Sequence, residues 1–236
     1  MEETPLVSLV IATWHQHTSL PIAVRSALNQ TYPNVEVIVV PVTSDKPTLR
    51  VVKDFLLDVK VVFSDKADYV HQRKLGVLNS RGKWFKWVDS DDYLMPSAVA
   101  SDMKVALQEK AYVVYSPLLM GDQHFNVIDF IKTEPFSYEA LTKNCFITDS
   151  SLTLKTMFLE FGLDESKGDM AFYELWLKIA EKYPSRIKMN KFPTLVYCQH
   201  DGQMSRQVPP EERARRRAMV VAESLKRIKL RREKTE

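Results

Sequence analysis

The sequence predicts an α/β fold: a mostly parallel central sheet flanked by helices, with a basic helix at the C-terminus. Three observations carry this. Short runs rich in Val and Ile alternate with helical stretches of about ten residues, the signature of βαβ units. The runs at 6–12 and 35–40 are apolar throughout, as strands covered on both faces are. The 236 residues are 45% hydrophobic and 27% charged, with only six glycines. That composition sets aside a disordered, collagen-like or linker-type chain.

The elements follow in order. Residues 6–12 read as the first strand. A helix spans 18–29, with Thr18 or Ser19 as its cap and Pro21 tolerated in its first turn. Tyr32-Pro33-Asn34 makes a turn into the second strand at 35–40. Residues 47–57 read as a helix, 59–63 as a strand, 67–78 as a helix and 84–88 as a fourth strand. Beyond it, 96–110 reads as a helix, 111–116 as a strand, 166–182 as a helix and 195–199 as a late strand. The expected division is one domain over 1–206, with halves at about 1–95 and 96–206, followed by a basic helical tail over 207–236.

Charge is unevenly shared. The chain carries +3 overall, yet residues 207–236 hold ten Lys and Arg against five Asp and Glu. Pro209-Pro210 breaks the chain before this tail, and Glu211-Glu212 suit a helix N-terminus. Ala218, Val221, Ala222, Leu225 and Ile228 recur at helical spacing as a narrow apolar stripe. That stripe either packs on the body of the domain or meets an anionic membrane surface or a partner protein. Nucleic acid ranks last, because no aromatic residue interrupts the basic run to stack on bases. Two cysteines, Cys145 and Cys198, make neither a disulfide scaffold nor a paired zinc motif. No run approaches the roughly 18 apolar residues of a membrane span, and Glu2-Glu3 do not suit a secretory signal. These features set the expectation of a reducing, cytoplasmic protein.

Ligands of parallel sheets bind beyond the carboxyl ends of the strands. The rule selects residues 13–15, 41–45 and 89–92. The last of these, Asp89-Ser90-Asp91-Asp92, crowds three carboxylates at the end of an apolar strand, an arrangement that favours a bound cation. Mg²⁺ or Mn²⁺ often binds through one or two carboxylates, with phosphates completing its shell. An Asp-x-Asp motif there suits a metal that bridges protein to a diphosphate. The plain alternative is a solvated turn in which Asp89 or Asp92 caps the next helix.

Several stretches resemble one known family in order and at family-like spacing. Pro5 to Trp14 (PLVSLVIATW) is similar to the opening strand of family 2 glycosyltransferases, and Ser26 to Glu36 (SALNQTYPNVE) to that family's S-x-L-x-Q-T-Y-P-N-x-E stretch. Arg73-Lys74-Leu75-Gly76, Arg81-Gly82-Lys83-Trp84 and Asp89-Ser90-Asp91-Asp92 continue the match. Leu163-Asp164-Glu165-Ser166, Glu174-Leu175-Trp176-Leu177-Lys178 and Tyr197-Cys198-Gln199-His200 with Ser205 extend it over roughly 5–206.

The resemblance implies a GT-A fold, a Rossmann-like domain that binds a nucleotide sugar, such as a UDP-sugar, and a divalent metal, Mn²⁺ or Mg²⁺. It implies a metal-dependent transfer of the sugar to an acceptor hydroxyl, mostly with inversion. The acceptor is left open between a glycan, a lipid-linked sugar and a protein. By position, Asp91 is the expected metal ligand, with Asp89 on the ribose or on the metal through water. Arg73 is expected near the nucleotide, and the backbone around Thr13 in the base pocket. His200 completes the metal shell or touches the diphosphate, unless it is simply structural.

Two departures stand out. Where the family has Asp-Asp-Gly-Ser after the second strand, this chain has Pro41-Val42-Thr43-Ser44-Asp45, so Asp45 either replaces the missing base contact or is a turn residue. Where the family has the Glu-Asp pair that supplies its general base, gap-free alignment puts Ala171 and Phe172. Asp169, three residues before Phe172, is the nominated base; an N-cap after Gly168 is its other role, and Glu174 is a weaker substitute. The Phe172 substitution also motivates a rival reading, a degenerate member that binds nucleotide sugar or a partner protein without turnover. A sugar-phosphate nucleotidyltransferase is set aside because residues 12–19 contain no glycine.

Overall fold

In the computed structural model, which describes residues 4–200, 203 and 208–233, the first apolar run forms β1 (Val7–Thr13). The chain continues through α1 (Leu20–Leu28), β2 (Val35–Pro41), α2 (Lys46–Val52), β3 (Lys60–Val61), α3 (Tyr69–Leu78) and β4 (Trp84–Asp89). Then come β5 (Tyr93–Leu94), α4 (Ala98–Gln108), β6 (Val113–Tyr115), β7 (Leu118–Gly121) and β8 (Val127–Ile131). The last part runs α5 (Tyr138–Lys143), β9 (Leu152–Leu154), α6 (Lys155–Phe161), a 3-10 turn at Glu165–Met170 and α7 (Ala171–Lys182). It ends with β10 (Ile187–Met189), β11 (Leu195–Cys198) and α8 (Pro210–Arg232).

Seven strands make the central sheet in the order β10-β6-β9-β4-β1-β2-β3. Its pairings are parallel except those of β9, which runs antiparallel to β4 and β6. In β1, Leu9 and Ile11 join one buried cluster and Val10 the other, so a strand apolar on both sides serves two cores. Val24, Val52 and Met103 bring α1, α2 and α4 to the first cluster, and Val70, Phe158 and Trp176 bring α3, α6 and α7 to the second. Gly76 lets α3 approach closely: a methyl there would run into the Val10 side chain and meet Val40 Cγ2 at 3.0 Å. This fixes α3 over the ends of β1 and β2, and with it Gln72 and Arg73. In β4 the alternation turns Lys86 into the first core. There its Nζ pairs with Asp102 Oδ2 at 2.9 Å, while Asn190 donates to the other Asp102 oxygen at 2.8 Å.

A second sheet, ordered β5-β11-β7-β8, lies beyond β4. Its importance for the site is that β11 pairs antiparallel with β5, Val196 opposite Tyr93. That pairing brings the end of β11 back beside the turn after β4.

The structure corrects four expectations. The helix expected over 47–57 stops at Val52 and passes into a 3-10 turn at Lys53–Phe55. The strand expected over 59–63 shrinks to Lys60–Val61 at the sheet edge. Ser19 occupies the N-cap of α1 without a capping bond, its hydroxyl meeting the Gln16 side chain instead. The helix expected over 166–182 breaks because Gly168 has φ +53°, so the regular helix starts only at Ala171.

The tail does form a helix, with only part of the anticipated stripe inward. Val221 packs against the second core and Ile228 is half-buried, but Ala218 and Ala222 are exposed and Leu225 is half-exposed, whereas Val220 and Ser224 are buried. Charge pairing explains the choice of face. Glu181, buried on α7, accepts from Ser224 Oγ (2.5 Å) and Arg227 Nη2 (2.7 Å), and Arg231 lies 3.4 Å from it. A buried carboxylate needs such partners, and they rotate the helix about its axis. Among the described residues no helix is long and apolar enough to cross a membrane.

Candidate active site

The carboxyl ends of β1, β2 and β4 form one edge, and α3 ties it together. Gln72, nearly fully buried, donates from Nε2 to the carbonyls of Thr13 (3.0 Å) and Val40 (2.6 Å). The Thr13 carbonyl is therefore engaged, while its hydroxyl is buried with no partner. Asp45 is also committed. Its carboxylate caps α2 through the Thr48 N–H and accepts the N–H of His15, whose φ is +57°. Burial opposes its ionisation, but hydrogen bonds from Thr48 and His15 outweigh burial and hold its pKa below the usual aspartate value. Asp45 thus anchors the two loops of this edge. Trp14, next to His15 and half-exposed, offers an aromatic surface there.

At the end of β4 the three carboxylates take different partners. Asp89 accepts from Arg73 Nη2. Asp91 Oδ2 lies 2.8 Å from His200 Nε2, which the β5–β11 pairing delivers. Asp92, almost wholly buried, accepts the N–H of Cys198 at 3.0 Å rather than capping α4, whose N-cap is Ser97. Burial and then the Asp89 charge push the Asp91 pKa up, with His200 opposing. Burial, then Asp89 and Asp91, raise Asp92 well above the usual range. The pattern is of negative charge without enough counter-charge.

Arg73 is held in a box. Its guanidinium lies against the rings of Tyr69 (5.3 Å to the centroid) and Phe172 (4.6 Å), which stack on each other at 5.8 Å, with the side chain only 5% exposed. Its Nη1 donates to Asp149 Oδ2 at 2.7 Å while Nη2 serves Asp89. Asp149 lies just before β9 and carries no signal in the sequence that ties it to Asp89; only the fold joins them. Phe172 is a core residue, packed edge-on against Trp87 at 5.1 Å. Asp169 sits in the 3-10 turn, not on the helix of Phe172, and its Oδ1 accepts from Arg216 Nη1 of α8 at 3.1 Å. It is not an N-cap: Asp164 caps the turn and Met170 precedes α7. Ser205 lies outside the described residues.

A divalent ion fits this edge on its donor chemistry. No group of three or more His, Cys, Asp and Glu side chains forms a protein-only cage among the described residues. Mg²⁺ and Mn²⁺ do not require one when phosphate oxygens complete the shell. Asp91 with His200 would supply the protein side, where burial and neighbouring carboxylates already disfavour the negative charge.

The model of glycosyl transferase family 2 matches residues 8–160. The chain belongs to glycosyl transferase family 2. An uncharacterized glycosyltransferase of Rickettsia typhi is 29% identical over 194 residues, covering 74% of this chain and 58% of that relative. The family 2 chain thus spans little more than half of that relative's length. The Escherichia coli enzyme WfaP, named as a UDP-Glc:α-D-GlcNAc-diphosphoundecaprenol β-1,3-glucosyltransferase, is 27% identical over 210 residues, covering 85% of this chain and 80% of its own. S. aureus TarS residues 1–349, solved in complex with UDP, superposes with a TM-score of 0.71 at 14% identity, covering 92% of this chain and 64% of TarS. The same part of TarS with UDP-GlcNAc gives 0.69 at 15% identity, over 86% and 61%. The TarS structures share the fold of this chain.

One expectation concerns pH. The unfolded chain releases the protons of Asp91 and Asp92 near the ordinary aspartate value of about 3.9, and the folded chain holds them higher. Stability from these groups is therefore greatest in acid and declines as pH rises from that value through the raised folded ones. Melting curves between pH 4.5 and 7.5 should show this decline in the metal-free chain. An ion held by Asp91 and His200 would bind only the folded form, so on that expectation added MnCl₂ raises the melting temperature at pH 7.5.

Proposed function

We propose that this chain transfers a sugar from a nucleotide-diphosphate donor, a UDP-sugar, to an acceptor hydroxyl, with inversion by a single displacement. The observation that carries the reading is the Asp-Ser-Asp-Asp turn at the carboxyl end of β4, with His200 paired to Asp91. The donor names attached to WfaP and the UDP and UDP-GlcNAc complexes of TarS support it.

Asp91 and His200 hold Mn²⁺ or Mg²⁺ in this reading, with Asp89 near the ribose. When bound, the ion supplies positive charge where the departing diphosphate gains negative charge. The protein's own part is positioning. Gln72 and Asp45 fix the loops that carry Thr13, Trp14 and His15 beside the base. Arg73 holds Asp89 in place from within its aromatic box. The acceptor, read from the name of WfaP, is a diphosphoundecaprenol-linked sugar.

The buried Phe172, where the family carries its base, favours one other reading: donor binding without turnover. Release of UDP from UDP-Glc and UDP-GlcNAc, with MnCl₂ and an N-acetylglucosaminyl-diphosphoundecaprenol acceptor, separates the two. The proposal expects acceptor-dependent UDP release. Donor binding with no release to this acceptor or to water would favour the binding-only protein.

A further inference from the structure

Position 172 cannot accept a proton, yet the box around Arg73 still contains a carboxylate that no motif assigns. Resting on the transferase reading above, we propose that Asp149 is the general base that takes the acceptor's proton.

The argument starts from Arg73. One guanidinium joins Asp89 and Asp149 through its two terminal nitrogens. Asp149 is therefore tied, through a single rigid planar group, to the Asp89 carboxylate that flanks the metal ligand Asp91. The Phe172 ring lies against the same guanidinium. A carboxylate from the loop before β9 thus sits beside the position where the family's carboxylate has become a ring. Asp149 remains reachable, its side chain 37% exposed.

The competing carboxylates are less suitably placed. Glu174 is buried, its side chain 5% exposed, and bonded to Lys178 at 2.9 Å. Asp169 pairs with Arg216 of α8 rather than with the arginine that also holds Asp89. The surroundings also favour Asp149 as a base. The protein packed about its carboxyl raises its pKa, Arg73 lowers it, and Asp89 and Asp169 raise it further, leaving it above the usual aspartate value. That direction brings a carboxylate closer to neutral pH, where a base works best.

In the step itself, an Asp149 oxygen accepts the proton of the acceptor O–H as the acceptor oxygen forms its bond to the anomeric carbon. The bond from that carbon to the phosphate oxygen breaks, and its electron pair leaves with UDP. Arg73 stays charged throughout and keeps Asp149 ionised before the proton arrives.

The test uses the full chain with Asp149→Asn, which keeps an oxygen for Arg73 but removes the basic site. Calorimetry with UDP-Glc and UDP-GlcNAc in MnCl₂ reads donor affinity, and UDP release reads turnover. The expected result is donor affinity within about twofold of wild type, with turnover lower by about 10²–10⁴-fold and the acidic limb of the kcat profile lost. Asp149→Glu, which keeps a carboxylate one methylene away, should retain that acidic limb at a reduced rate, so a folding defect in the first variant does not hide the answer. Full turnover in Asp149→Asn overturns the assignment. So does donor binding by wild type without any turnover, or Asp169→Asn taking the whole loss instead. Absence of donor binding in wild type is a distinct outcome: it removes the transferase reading, and the base assignment with it.

Discussion

Lys86→Met is expected to destabilise the chain by about 3–5 kcal/mol, the cost of leaving one member of a buried ion pair alone. Lys86 and Asp102 are 1% and 0% exposed, so water cannot take the place of the lost ammonium. Methionine fills the volume of the lysine stem, which leaves charge as the main difference. Among the described residues Asp102 then keeps the Asn190 amide, and its buried charge is left without a cation. For a chain of this length the loss corresponds to a melting temperature lower by about 10 °C. Calorimetric or circular-dichroism melting at pH 7.5 measures it. The double variant Lys86→Met/Asp102→Leu should recover part of the loss, because it removes the orphaned charge. Equal melting of wild type and Lys86→Met would show that the pair contributes nothing.

Arg73→Met is the second large effect, and it acts on both stability and activity. The methionine side chain still packs against Tyr69 and Phe172, but Asp89 and Asp149 then lose their shared cation. The two negative charges then repel, and Asp89 loses the group that orients it. The expected loss is about 3 kcal/mol, the lower end for a broken buried pair, because the two carboxylate side chains are 40% and 37% exposed. Transfer should fall to background. Arg73→Lys should give an intermediate melting temperature with little activity, since an ammonium cannot reach both carboxylates as the forked guanidinium does. Urea titrations of both variants, with UDP release measured in parallel, check these outcomes.

How much of this was legible beforehand depends on distance along the chain. The β1, β2 and β4 runs announce themselves because strands buried on both faces are apolar without interruption. Asp89, Asp91 and Asp92 stand out because three acids close such a run. Asp149 does not stand out: an Asp in a Thr-Asp-Ser-Ser loop is ordinary until β9 inserts antiparallel beside β4. Neither β7 nor β8 was expected, because β8 is an exposed edge strand whose residues do not alternate. The spacing predicts a helix from 166 because Gly168 reads locally as a tolerable helix residue, and only its positive φ breaks the helix ahead of Ala171. The tail's inward face is only partly legible for a different reason. Hydrophobic spacing ignores the buried Glu181, whose need for Arg227 and Ser224 turns Val220 inward beside Val221 and leaves Ala218 and Ala222 outside.

Calorimetry of UDP-Glc and UDP-GlcNAc against the full chain, with and without MnCl₂, decides whether the turn after β4 holds an activated sugar. Wild type should bind at least one donor in a manganese-dependent way. Asp91→Ala should lose that dependence while melting no lower than wild type. Manganese-independent uptake, or unchanged donor affinity in Asp91→Ala, would contradict a metal-bridged nucleotide sugar at Asp91.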